Sequence, residues 1–162
     1  MGTKLMHRNE RGFTLIELLI AIALAGLVTA GITYAINQVL TINTRASNHM
    51  ICVRQVQQAG KEVSKDALQA QEVTYTGNPF HLNLTWTDWG GVVNDVTYTI
   101  DGDELVRSDG GDPRVIAEYI DSAQTYCEPI GPLQGGTLTF TVTAAVGTES
   151  ETRVYEVEPR PG

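Results

Sequence analysis

Basic residues are scarce in the C-terminal part of this 162-residue chain. From Glu72 to Gly162 there are four (Arg107, Arg114, Arg153, Arg160) against fifteen acidic residues, a net charge of −11 where the whole chain carries −8. That balance argues against general nucleic-acid binding, which needs Lys and Arg to displace counterions from phosphates. Cysteine and histidine are equally sparse, with two cysteines and three scattered histidines. No C-x-x-C, Cys/His cluster, Ser/His/Asp set or phosphate-binding loop occurs, so the sequence names no catalytic residue, no metal site and no cofactor. Three further absences shape the rest. No proline lies between Phe13 and Asn78, no charge lies between Leu18 and Thr44, and no low-complexity tract suggests disorder.

The uncharged run is what is there instead. A helix needs roughly 20 apolar residues to cross a bilayer core, and this run is long enough. Lys4, Arg8 and Arg11 precede it, with Glu10 the one acid among them. The positive-inside rule then leaves the first dozen residues in the cytoplasm and sends the C-terminal part across. A cleavable secretory signal is the rival reading, with small-residue sites at "LAG" (24–26) and "TAG" (29–31). Against it, the apolar run continues past both sites without a break, and Glu17 serves no purpose in such a signal. A carboxylate in hydrocarbon costs several kcal/mol unless it is paired, on the order of the penalty for other buried ions.

The stretch "RGFTLIELLIAIALAGLV" (11–28) resembles the N-terminus of type IV prepilins and type II secretion pseudopilins. The resemblance implies cleavage by a prepilin peptidase between Gly12 and Phe13, methylation of the new N-terminal Phe13, and retention of the apolar helix. Glu17 matches the family's glutamate, which in an assembled filament pairs with the α-amine of a neighbouring Phe13. The alternative for Glu17 is that it snorkels to the cytoplasmic interface. Small residues Ala21, Ala25, Gly26, Ala30 and Gly31 suit close helix packing in lipid, or reflect the general frequency of Ala and Gly in membrane helices. Many family members carry a proline partway along this helix. Its absence here leaves only Gly26 and Gly31 for any local melting.

Beyond Thr41 the helical period persists through Ile42, Ala46, His49, Val53, Val56, Gly60, Val63, Ala67 and Ala70, which predicts one modestly apolar stripe facing a head domain. His49 on that stripe reads as a buried or half-buried core histidine. Gly60 either weakens the helix by about 1 kcal/mol or permits close packing. An unbroken helix from Phe13 to about Ala70 spans roughly 87 Å at about 1.5 Å per residue.

After Glu72 the period becomes two. "FHLNLTW" (80–86), "DVTYTIDGDELVRS" (95–108), "GTLTFTVTA" (136–144) and "TRVYEVE" (152–158) read as strands, with Asp101-Gly102 as a type I′ hairpin turn. "DPRVIAEYIDSAQTYCEP" suits either a helix start at Asp112-Pro113 or, by the family comparison, an extended edge. "VTYTIDGDELVRSDGG" followed by "VIAEYIDSAQTY" and a late hairpin is weakly similar to minor pilins of the W and J types. The acidic cluster around Asp88 to Asp112 reads as turn chemistry on a solvated surface rather than calcium ligands, and Asn83-Leu84-Thr85 is a sequon within a strand. Cys52 and Cys127 fit either a bond tying sheet to helix or two buried thiols.

The expected fold class is α+β: a long N-terminal helix of type IV pilin kind with a small antiparallel β-sheet head. The expected segments are a leader (1–12), a transmembrane and filament-core helix (13–40), its amphipathic continuation (41–71) and the head (72–162). The resemblance implies a structural subunit, minor pilin or pseudopilin-like, and not an enzyme. Its partners would be other pilin or pseudopilin subunits, prepilin peptidase, the membrane and an inner-membrane assembly platform driven by cytoplasmic ATPases. It would sit in the cytoplasmic membrane as a single pass, N-terminus in, and then in a periplasmic or cell-surface filament. The rival is a membrane-anchored binding or adhesin domain that never polymerises. The charge split suggests that Arg45, Arg54, Lys61 and Lys65 meet acidic heads of neighbours.

Overall fold

The computed structural model describes residues 13–133 and 136–160. The leader, with Gly12, lies outside the described residues. The chain divides into two compact units, Met1–Asn43 and Thr44–Gly162. One helix, α1 (Leu15–Ala67, 53 residues), contributes to both.

In the first unit, every described residue is exposed. Leu15, Ile16, Leu19, Ile22 and Leu27 stand 59–82% bare. A helix apolar on all sides with nothing packed on it lacks the solvent-facing half of an ordinary surface helix. It is long and apolar enough to cross a membrane. Four of its polar side chains bond back to the helix. Thr29 Oγ1 donates to the Ala25 carbonyl (2.8 Å), Thr33 Oγ1 to Thr29 (2.9 Å), Asn37 Nδ2 to Thr33 (3.0 Å) and Thr41 Oγ1 to Asn37 (2.9 Å). Back-bonding at i−4 hides donors that would otherwise be costly in lipid.

The second unit is an α+β fold with nine strands among the described residues, packed on the later part of α1. Strands β1 (Glu72–Thr76), β2 (His81–Thr87), β3 (Val93–Asp101), β4 (Glu104–Ser108) and β5 (Arg114–Ala117) form an antiparallel meander. After β6 (Tyr126–Glu128), the short β7 (Gly131–Pro132) returns to pair with β1. A second sheet holds β6, β8 (Leu138–Val146) and β9 (Glu149–Val157) in the order β6-β8-β9. The single sheet expected from sequence is therefore two. An Ile120↔Ala144 bridge and the bond from Ala145 N to the Tyr119 carbonyl (2.8 Å) stitch the chain between them. The 112–128 stretch takes the extended alternative, with β5 as an edge strand and no helix.

The β3–β4 hairpin differs from the type I′ turn expected at Asp101-Gly102, and the β8–β9 hairpin shares its geometry. Asp101 pairs with Glu104, so the loop is Gly102-Asp103, one residue later than expected. Val146 pairs with Glu149 around Gly147-Thr148. Only the first loop residue of each has positive φ, 63° at Gly102 and 62° at Gly147. Glycine first with an ordinary second residue is the type II′ pattern, which also matches the strand twist.

The helix's buried line runs through Cys52, Val56, Ala59, Gly60, Val63 and Ala67. The expected stripe is thus half right. Val56, Gly60, Val63, Ala67 and the post-helical Ala70 are buried, but Ile42, Ala46 and His49 are exposed and Val53 is half-buried. His49 is not a core histidine, because the packed face begins only at Cys52. The helix ends at Ala67 rather than Ala70. Gln71 N already bonds the Thr85 carbonyl (2.9 Å), so sheet pairing takes over from the helix ladder.

The helix supplies small residues because the sheets supply large ones. Tyr75, Phe80, Phe140 and Tyr155 form a chain of ring contacts with centroids 5.4, 6.2 and 6.4 Å apart. Tyr155 lies across Gly60: a Cβ there would fall inside the ring. Its hydroxyl donates to the Val56 carbonyl (3.0 Å), one turn earlier. Close packing, then, is why Gly60 is glycine. Gly60→Ala is expected to destabilise the head by about 1–3 kcal/mol through overpacking. Tyr155→Leu should recover part of that loss in the double variant. Equal urea midpoints for wild type and Gly60→Ala would show that the ring moves aside freely.

Candidate assembly site and the helix lock

Phe13, 79% exposed, precedes the helix, and Thr14 and Glu17 form its first turn. Glu17 N donates to Thr14 Oγ1 (3.3 Å), while Thr14 N (3.4 Å) and Thr14 Oγ1 (3.2 Å) both approach Glu17 Oε2. This T-x-x-E arrangement is a capping box, which satisfies backbone N–H groups that the helix start leaves without partners. A carboxylate here is also favoured by the positive end of the helix dipole. Glu17 thus has a local role within one chain that the family comparison did not supply. The signal was legible: threonine followed three residues later by glutamate, ahead of an apolar run.

The small residues have no packing partner among the described residues. A Cβ at Gly26 or Gly31 would meet nothing within 4 Å. At 100° per residue Ala21 and Ala25 share one face, and Gly26 with Ala30 lies roughly opposite.

Sequence reasoning missed Asp66 altogether. It is the one charged residue on the buried side of α1, 3% exposed. Its Oδ2 accepts from Tyr98 OH (2.7 Å) and from Arg107 Nε (2.7 Å). Tyr98 and Arg107 are direct cross-strand partners in β3 and β4, so both side chains leave the same face of the sheet. Arg107 Nη1 continues to Asp109 Oδ2 (2.6 Å). Burial opposes the charge on Arg107, but bonds to Asp66 and Asp109 outweigh it and hold the guanidinium more firmly protonated than usual. The Arg107 bond also depresses the Asp109 carboxyl. An acid amid Val63, Ala67 and Ala70 was the available clue, but its partners lie 32 and 41 residues away.

Tyr98 is fully buried, and burial first, then the Asp66 carboxylate, push its phenol well above the ordinary 10.0. A raised folded-state value stabilises the fold in full below about pH 10, where the unfolded phenol is still protonated, and that contribution fades as pH rises further. We therefore expect Tyr98 to ionise only as the head unfolds in alkali. Absorbance titration at 295 nm against near-ultraviolet circular dichroism checks this, and ionisation of all six tyrosines near pH 10 with the dichroism intact would contradict it.

The cysteines are two separate buried thiols, not a disulfide. Cys52 Sγ donates to the Glu149 carbonyl (3.6 Å), at the β8–β9 turn. Cys127 pairs with Phe140, near the other end of β8. Six residues of strand between Phe140 and Val146 amount to about 20 Å, far beyond the roughly 7 Å a disulfide allows. Burial pushes both thiols above their usual range, which makes them poor nucleophiles.

Asp88 of the acidic cluster is used locally. Asp88 Oδ1 accepts from Gly90 N (2.8 Å) and Val92 N (2.9 Å). Among the described residues no three His, Cys, Asp or Glu side chains converge as a metal would require. Asn83 Nδ2 of the sequon donates to Asp95 Oδ1 (2.5 Å).

Residues 7–33 match the prokaryotic N-terminal methylation motif. This motif is the class III signal found on type IV pilins and pseudopilins, and over these residues the chain is similar to them. The match spans the leader and the start of α1 and does not extend to the head. No curated protein and no solved structure matches the chain.

Proposed function

We propose that the protein is a structural subunit, minor pilin or pseudopilin-like, of a type IV pilus or type II secretion pseudopilus. The methylation motif over residues 7–33 carries this reading. Peptidase cleavage between Gly12 and Phe13 removes the charged leader and leaves an apolar helix that waits in the inner membrane and then passes through an assembly platform into a filament core. The bare small residues Ala21, Ala25, Gly26, Ala30 and Gly31 are surfaces for neighbouring helices. The protein is not an enzyme in this reading; its chemistry is that of the peptidase acting on it.

Charge supports contact between copies. Arg54, Lys61 and Lys65 are exposed and share one face of α1, about opposite the buried line at 100° per residue. Arg45 lies off that face. The acidic heads of neighbouring subunits are the complementary surface.

Mass spectrometry of the mature N-terminus tests the reading. A methylated Phe13 is expected. An intact leader, or a cut near Ala25, would leave a membrane-anchored binding domain or a secreted head instead. Abundance in sheared filaments then separates a major subunit from an initiating one.

A further inference from the structure

The chain has two tryptophans, and both line one cleft of about 380 Å³ in the second unit. Trp86, on β2, packs partly against the core, whereas Trp89 is 98% exposed at the tip of the β2–β3 loop. An exposed tryptophan is costly to keep in water, at roughly 25 cal/mol per Å² of apolar surface.

The loop does not leave Trp89 bare through slackness. Asp88 N bonds the Val92 carbonyl (2.9 Å), Gly91 N bonds the Asp88 carbonyl (3.0 Å), and the Asp88 carboxylate caps Gly90 and Val92. This closed turn fixes the backbone from which the indole projects, which lowers the ordering cost of the loop on binding. The rest of the lining is largely polar: Gln69, Gln71, Asp88 and Arg160. Gln71 is anchored through Oε1, which accepts from Thr87 N (3.0 Å), so its amide nitrogen remains to donate. Gln69 is anchored through Nε2 to the Lys65 carbonyl (3.3 Å), so its oxygen remains to accept.

We propose that this cleft binds a neutral saccharide chain. A pyranose has one face of C–H groups, which suits the electron-rich face of an indole, and a rim of hydroxyls, which suits fixed amide donors and acceptors. The lining has no aliphatic side chain, which an apolar peptide groove would need. The head's excess of acid disfavours anionic lipid and acidic polysaccharide alike. Saccharide binding by the head is independent of filament assembly, so its failure would leave the assembly reading untouched.

The test uses the mature chain in an amine-oxide detergent, which carries no sugar headgroup. Because both tryptophans line the cleft, fluorescence excited at about 295 nm, beyond the six tyrosines, reports on it. Cellohexaose, chitohexaose and maltohexaose are titrated to about 10 mM, a range that detects even weak complexes. A saturable blue shift with at least one is expected. By calorimetry, Trp89→Ala and Gln69→Ala should each weaken that binding, the former at least about tenfold. Circular dichroism should show both variants folded, since both side chains are exposed. No response to any of the three sugars, binding unchanged in Trp89→Ala, or tighter binding of polygalacturonate would each overturn the proposal.

Discussion

Glu17→Gln should enter filaments no better than Glu17→Ala, at least about tenfold below the wild type. The comparison matters because Glu17 has two roles that alanine cannot separate. Within one chain it closes a capping box with Thr14. Between chains, in the filament reading, its charge meets the methylated amine of Phe13. Glutamine serves at the third helical position of a capping box much as glutamate does, but carries no charge. Removing one member of a buried ion pair costs about 3–5 kcal/mol, so tenfold is a conservative lower bound. Thr14→Ala is the reciprocal control. It breaks the box, at about 0.5–2 kcal/mol, and keeps the charge, so its assembly defect should be milder. All three variants should still insert, and cleavage at Gly12 can be followed by mass. Immunoblots of sheared filaments against the membrane pool give the result. Normal assembly of Glu17→Gln beside failure of Thr14→Ala would reduce Glu17 to a helix cap.

Asp66→Ala should cost the head about 3–5 kcal/mol, the largest loss expected for any single substitution outside the aromatic core. It leaves a Tyr98 hydroxyl with no water and an Arg107 guanidinium, 16% exposed, without its main partner. The penalty comes from the orphaned groups more than from the lost pair. A triple replacement, Asp66→Leu with Tyr98→Phe and Arg107→Met, should therefore recover most of the stability despite removing the Asp66–Arg107 ion pair, the exposed Asp109 being left to solvent. Urea unfolding followed by circular dichroism would compare the set. Equal losses in the single and triple variants would mean that the attraction itself, not the orphaning, holds the helix to the sheet. Because the network joins α1 to β3 and β4 at defined atoms, it also fixes the axial register of helix on sheet, which Val56, Ala59 and Val63 alone specify weakly.

The N-terminal third was readable because its information is local. A class III signal is a run of adjacent residues, and Thr14 and Glu17 are one turn apart. The strands at 81–87, 93–101, 138–146 and 149–157 were readable for a related reason: alternation is a property of each segment alone. The turn type was missed because a two-residue loop is set by which residues pair across it, and Asp101 pairs with Glu104. The stripe on α1 was started too early, at Ile42, whereas the buried line begins at Cys52. A 3.6-residue period shows a face, whereas the point where packing begins depends on what the sheets bring against it.

The sequence by itself determined the kind of protein: an apolar helix behind a peptidase signal, then an acidic head of antiparallel strands. These follow from runs, periods and charge, which need no neighbours in space. Only the tertiary structure decided that the head has two sheets and that Cys52 and Cys127 stand at opposite ends of β8. It also decided that Gly60 is the seat of Tyr155, that Asp66 answers Tyr98 and Arg107, and that Trp86 and Trp89 share a cleft. Each joins side chains from separate elements or fixes their place around a loop, and such meetings are set by packing and register, which no local pattern encodes.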